Sequence, residues 1–234
     1  QHSPEETWQR YVAVTRLAAT AVSVFMVAPL AIAPVFLYAW TGQMGFLSRG
    51  VFVALSCGFA ANVLALPAAA LVQAAARADL QARAAMLTLL VNIPLSLLLL
   101  WQWGMVGAAA GTSVAMTAGA ALLLADAHRA YGRPLRPTLA LVASYWPALV
   151  VCALFGLVAY LPFERWFVAI PEAARDGWRT RLAAAAAAGV AYLSCIGAML
   201  LVQWRFGLVP REQYQALREW LRARWSIRLP ASRS

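Results

Sequence analysis

The chain has 234 residues, 63% of them hydrophobic and only 12% charged, which leaves no room for a sizeable soluble domain beside its apolar stretches. A net charge of +10 would suit nucleic acid in a soluble protein. Here the cations flank apolar runs, so lipid headgroups and the basic bias of membrane loops account for them, and no nucleic-acid partner is expected.

Residues 1–16 form a polar approach segment, with helix expected near Trp8–Val14. Six apolar stretches follow: Leu17–Trp40, Val51–Gln73, Ala84–Trp103, Val106–Ala125, Thr138–Leu161 and Leu182–Gln203. Each has about the 20 residues a helix needs to cross hydrocarbon, and none alternates with period 2, so helices rather than a barrel are expected. Pro29 and Pro34 predict a kink near the middle of the first stretch. Pro67 lies in the second and Pro94 in the third. Only Gly104 and its neighbours separate the third stretch from the fourth, which predicts a tight antiparallel hairpin. Gly107 and Gly111 share one face of the fourth stretch and permit close backbone approach. From Pro210 onward, Tyr214, Leu217, Leu221 and Trp225 recur at helical spacing among arginines. An interfacial amphipathic helix is expected there. The organisation is therefore residues 1–16, a four-helix part over 17–125, two further spans over 126–204, and a basic tail over 205–234. The predicted fold class is an all-α polytopic membrane protein with six transmembrane helices and the terminal interfacial helix.

The charges fix the orientation. All 19 cations among Lys and Arg are Arg. Fourteen of them fall on the N-terminal side of the predicted membrane, in the two tails and the second and fourth connections. Arg49, Arg165, Arg175, Arg179 and Arg181 make up the other side. Loops rich in Arg stay in the cytoplasm, so both termini are expected there, in a multi-pass protein of a bacterial inner membrane. The exclusive use of Arg beside so much Ala indicates coding bias, which weakens any single Arg as evidence for a phosphate-binding fork. No n-region precedes an apolar h-region, so no signal peptide is expected. The opening Gln-His-Ser-Pro predicts a piece of a longer protein.

No Asp or Glu lies inside a predicted span, which argues against an autonomous proton pump and against carboxylate catalysis within the bilayer. Cys57, Cys152 and Cys195 lie in apolar stretches without CxxC spacing and are read as small buried hydrophobes. His2 and His128 fall in tail and loop, so neither a metal nor a cofactor is expected. With no Ser–His pair, HExxH or aspartate dyad, no enzymatic activity is expected either. Asn62, Gln73, Asn92, Thr112 and Thr117 are the candidates for lining a polar cavity. An amide both donates and accepts and so matches a sugar hydroxyl, while the plainer reading is hydrogen bonding between helices. Arg16, Arg77 and Arg83 are the candidates for capturing a phosphate-bearing headgroup, against the plainer reading of topology alone.

Three segments carry a family resemblance. The first is an Arg-led helix from Arg16 ending Val35-Phe-Leu-Tyr-Ala-Trp-Thr-Gly42, and the second is the small-residue and basic turn Ala74–Arg83. The third is Asn92-Ile-Pro-Leu-Ser followed by an aliphatic run and Trp103-Gly104-Met-Val-Gly107-Ala-Ala-Ala-Gly111-Thr112. From Arg16 to about Leu124 the chain resembles the second lobe of the polysaccharide and O-antigen flippases of the multidrug/oligosaccharidyl-lipid/polysaccharide exporter superfamily. The resemblance implies the C-terminal half of a 14-helix, two-lobe transporter, its last two spans being extra C-terminal helices. It implies lipid-linked oligosaccharide as cargo, flipped by alternating access during exopolysaccharide or lipopolysaccharide assembly. A missing N-terminal lobe or a second copy, together with membrane lipids, would complete it. The alternatives are a drug or small-molecule exporter of the same superfamily and a non-transporting membrane scaffold.

Overall fold

The computed structural model describes residues 3–27, 30, 32–41, 46–170 and 177–207. Among these the regular structure is helical throughout, with no strand. Pro29 and the stretch expected as an interfacial helix lie outside the described residues.

Helix α1 (Pro4–Ala21) starts at a capping box, in which Ser3 Oγ accepts from Glu6 N at 3.2 Å and Glu6 Oε2 accepts from Ser3 N at 3.1 Å. It runs from the polar approach segment into the first apolar stretch without a break. A π-helical turn follows (Val22–Val27), then helix α2 (Ala33–Thr41). The first apolar stretch is thus described as α1, the π turn and α2, and the kink expected near its middle falls where residues 28, 29 and 31 lie outside the described residues. Pro34 sits in the first turn of α2, where a missing N–H costs nothing.

Helix α3 (Phe46–Ala74) contains the buried Pro67 and ends in a six-to-one closure, Arg77 N donating to Val72 O at 2.9 Å. Ala76 takes the left-handed conformation of that turn, with φ 55°. Helix α4 (Ala78–Ala130) is two helices joined at Gly104, whose φ of 62° and ψ of −146° reverse the chain. Its halves, 78–103 and 105–130, form the expected antiparallel hairpin. The fourth stretch does not stop near Ala125, because nothing breaks the helix before Gly132. Helix α5 (Arg136–Ala143) is followed by a turn and then by α6 (Trp146–Ala169). The fifth stretch is thus interrupted at Ser144–Tyr145, just before Pro147, and extends through Pro162 into the region expected as a loop. Helix α7 (Trp178–Arg205) completes the described chain.

Two apolar clusters organise the packing. Tyr11, Ala68, Val72, Leu80, Ala120 and Ala127 join α1, α3 and both halves of α4 at the arginine-rich end. Ile32, Val35, Tyr38, Phe163, Ala184 and Ala188 join α2, α6 and α7 at the other end. Among the described residues three helices are long and apolar enough to cross a membrane: Arg49–Ala74, Ala78–Ala130 and Trp178–Arg205, with mean hydropathy of 1.9, 2.1 and 2.0. Their large exposed side chains, such as Leu90, Ile93, Leu97, Val190 and Leu193, suit hydrocarbon rather than water.

Small residues hold the hairpin shut. A Cβ at Gly107 would lie 1.9 Å from Leu99 O, and one at Gly111 would lie 2.7 Å from Ser96 Cα. Backbone atoms cannot yield, so any side chain there parts the helices. Gly107→Ala is expected to cost about 2 kcal/mol and lower the melting temperature in detergent by several degrees. Gly189→Ala, which meets no neighbour within 4 Å, should be neutral or mildly stabilising in the same assay.

Candidate functional site

The hairpin brings two of the sequence-predicted cavity residues together. Ser96 Oγ lies 2.7 Å from Asn92 Oδ1 and 3.4 Å from Thr112 Oγ1, and Thr112 Oγ1 donates to Ala108 O at 3.1 Å. Asn92, Ser96 and Thr112 are half-buried and form one amide–hydroxyl cluster across the seam between the halves of α4. The register comes from Gly111, whose lack of a side chain lets Ser96 approach. The other candidates stand apart. Asn62 is exposed on α3, and Thr117 is exposed with its hydroxyl donating to Ser113 O at 2.8 Å. Gln73 Nε2 donates to Gln81 Oε1 at 2.7 Å across the α3–α4 turn. Pro94 is exposed on the 78–103 half.

The arginine-rich end is more elaborate. Arg77 makes a two-point contact with Asp79, at 3.1 and 3.2 Å, which holds the Asp79 carboxyl below its ordinary range. Arg83 Nη1 lies 3.5 Å from Asp126 Oδ2, and Arg129 Nη1 lies 3.4 Å from Asp126 Oδ1. Arg16 is an exposed side chain near the end of α1, away from that turn in the chain. Its carbonyl accepts from Thr20 Oγ1 at 3.0 Å and from Tyr145 Oη at 3.1 Å.

His128 is the main departure from expectation. It lies not in a loop but on the last turn of α4, 2% exposed. Its Nδ1 is 3.0 Å from Pro134 O, and a carbonyl only accepts, so Nδ1 carries a proton. The neutral ring therefore accepts at Nε2 from Tyr11 Oη, 3.0 Å away. Trp8 packs edge-on against the ring at 5.1 Å. Arg133 pairs with Glu5 and lies 5.6 Å over the Trp8 ring. Together these contacts clamp α1 onto the hairpin. Burial pushes the His128 pKa below the ordinary 6.5, against the opposing pull of the Arg133 and Pro134 backbone, and burial pushes the Tyr11 phenol up.

A second polar chain lies deeper. Gln203 Nε2 donates to Ser23 Oγ at 2.6 Å, and Ser23 Oγ donates to Thr20 O at 2.8 Å. The π turn carries Ser23 and so aims it at α7. Gln203 Oε1 is buried without a hydrogen-bond partner among the described residues. Farther along α7, a half-open cavity of about 630 Å³ is lined by the π turn, α2, α3 and α7. Met26, Ile32, Phe36, Trp40, Phe52 and Tyr192 line it, and Ser56 adds a hydroxyl.

His128 and Asp126 escaped the sequence reading because the fourth apolar run ends at Ala125. A signal was present nonetheless. The stripe Gly107, Gly111, Ala115 and Gly119 continues at helical spacing through Leu123 to Asp126 and Ala127, and all of these are buried.

A depressed imidazole means that the docked state binds fewer protons, so the clamp is complete above pH 6.5 and weakens as pH falls below it. Amides of α1 should exchange faster, relative to their intrinsic rates, on going from neutral to mildly acidic pH. His128→Gln should abolish that pH dependence. Compared with protein-family models, with curated proteins and with solved structures, the chain matches none.

Proposed function

We propose that this chain is part of a membrane transporter that flips lipid-linked oligosaccharide across the cytoplasmic membrane by alternating access. In this reading it contributes six spans and an interfacial helix, with both termini in the cytoplasm. The observation that carries the reading is the Asn92–Ser96–Thr112 cluster on a glycine-locked hairpin. It falls on the segment with the strongest likeness to the polysaccharide flippases, and it offers the amide and hydroxyl groups that sugar hydroxyls recognise. A polyprenyl tail can stay in lipid while its sugars and pyrophosphate cannot, so the protein need only supply a polar path open sideways to the bilayer. The exposed arginines of the α3–α4 turn would attract the pyrophosphate at the membrane edge. Broad apolar faces, such as Leu90, Ile93 and Leu97 on the 78–103 half, leave room for a second lobe, either the missing N-terminal half or another copy.

The 630 Å³ apolar cavity favours a second reading, export of a drug-sized hydrophobic molecule. The two readings separate in one experiment. Cells lacking their own repeat-unit translocase should regain surface glycan when the full-length protein containing this chain is expressed. Asn92→Ala with Thr112→Val should lower that export at least tenfold at unchanged membrane abundance. No glycan export despite normal insertion rejects the cargo, and unchanged export without these two polar side chains rejects the cavity lining.

A further inference from the structure

The two ends of the hairpin meet in a cluster of five charges, Arg77, Asp79, Arg83, Asp126 and Arg129. Asp79 is taken up by Arg77, fork to carboxylate. Asp126 is different. Its side chain is 6% exposed, while those of Arg83 and Arg129 are 62% and 77% exposed. The carboxylate meets a single nitrogen of each, at 3.5 and 3.4 Å, and Oδ2 receives no hydrogen bond. Neither contact is the bidentate arrangement at about 2.7–2.9 Å that a guanidinium makes with a well-matched anion. Each guanidinium thus keeps most of its five donors pointing outward. Without a negative charge between them, two cations held this close would repel.

We propose that Arg83 and Arg129 form a binding site for a phosphate-type anion at the arginine-rich mouth of the hairpin, with Asp126 as the internal anion that keeps the empty site assembled. An arriving phosphoryl group offers each guanidinium two oxygens and more charge than a carboxylate, so it takes the outward donors and loosens the long contacts to Asp126. Because Asp126 is anchored on the 105–130 half and Arg83 on the 78–103 half, this exchange also relaxes a tie between the two helices at their basic end. The ligand is a phosphate ester or pyrophosphate, carried either on a lipid headgroup or free in solution. This deepens the proposed function and rests on it for the identity of the natural ligand, though not for the site itself.

The distinguishing consequence is the sign at Asp126. A residue that only positioned the arginines would weaken anion binding when neutralised, whereas a competitor strengthens it. The test uses purified full-length protein in neutral detergent, titrated separately with phosphatidic acid, followed by native mass spectrometry, and with inorganic pyrophosphate, followed by calorimetry. Asp126→Asn is expected to bind about tenfold tighter, the effect of removing one unit charge a few ångströms away in partly screened surroundings. Arg83→Ala and Arg129→Ala should each bind about tenfold more weakly. Asp126→Glu, whose longer arm closes the gap to both guanidinium groups, should also bind more weakly, and it covers the case in which Asp126→Asn fails to fold. Tighter binding of phosphatidic acid alone assigns the lipid source, and of pyrophosphate alone the soluble one. Unchanged or weaker binding by a folded Asp126→Asn protein overturns the proposal, as does tighter binding by Asp126→Glu. Loss of glycan export with these binding shifts intact rejects the cargo and leaves the anion site standing.

Discussion

Close approach of the two halves of α4 is the constraint on which the remaining geometry depends. Gly104 turns the chain with a backbone conformation that L side chains rarely adopt, and Gly107 and Gly111 let one helix touch the backbone of the other. In lipid there is little hydrophobic drive between helices, so contact comes from packing and from polar groups that find partners. Small residues supply the first and the Ser96 cluster the second. Once the register is fixed at Ser96 and Gly111, it also fixes what meets farther along. Thr88 comes against Gly119, and Arg83 comes against Asp126. The polar cluster and the charged mouth are consequences of one seam.

Two further polar chains tie the remaining helices to that seam. At the arginine-rich end His128 serves as a double connector, donating to the segment after the helix and accepting from α1. Its near-complete burial is tolerable because both ring nitrogens are engaged. Deeper, the Gln203–Ser23–Thr20 chain joins α7 to the π turn. A π turn displaces the backbone register by one residue, which is how a serine on the first apolar stretch comes to face a glutamine on the last. Hydrogen bonds of this kind contribute only about 0.6 kcal/mol each at membrane depth, so they select partners more than they add stability.

Composition and periodicity made much of the fold legible. Apolar length gave the helices, Gly104 and the short link gave the hairpin, and Gly107 and Gly111 gave its closeness. The failures have physical reasons. The fifth apolar stretch is expected as one span because hydropathy sees one run, whereas the structure interrupts it at Ser144–Tyr145, just before Pro147. Polar residues usually end an apolar run, so the sequence places His128 in a loop, whereas the helix runs on to Ala130 and the stop comes with Gly132 and Pro134. Of the candidate cavity residues, Asn92 and Thr112 share a neighbourhood and Asn62, Gln73 and Thr117 do not share it with them. Residue type marks the capacity to hydrogen-bond, but the angular position around a helix decides with whom, and outside the small-residue stripe of the 105–130 half the apolar stretches carry no periodicity from which that angle can be read.

The exposed side of the hairpin constrains how such a protein works. Within the 78–103 half, Leu89, Leu90, Ile93, Leu97 and Leu98 are all exposed, and together they span a wide arc of the helix. A helix held along one narrow seam and bare over the rest is a lever: its anchored edge resists shear, while its free faces can exchange lipid for another apolar surface at little cost in transfer free energy. Motion of such an element is limited mainly by its few polar ties. The tie at its basic end, Arg83 to Asp126, is long, half in water and without hydrogen-bond geometry, whereas at mid-depth Ser96 Oγ donates to Ala108 O across the seam at 3.2 Å, half-buried. Opening is therefore easiest from the charged mouth inward.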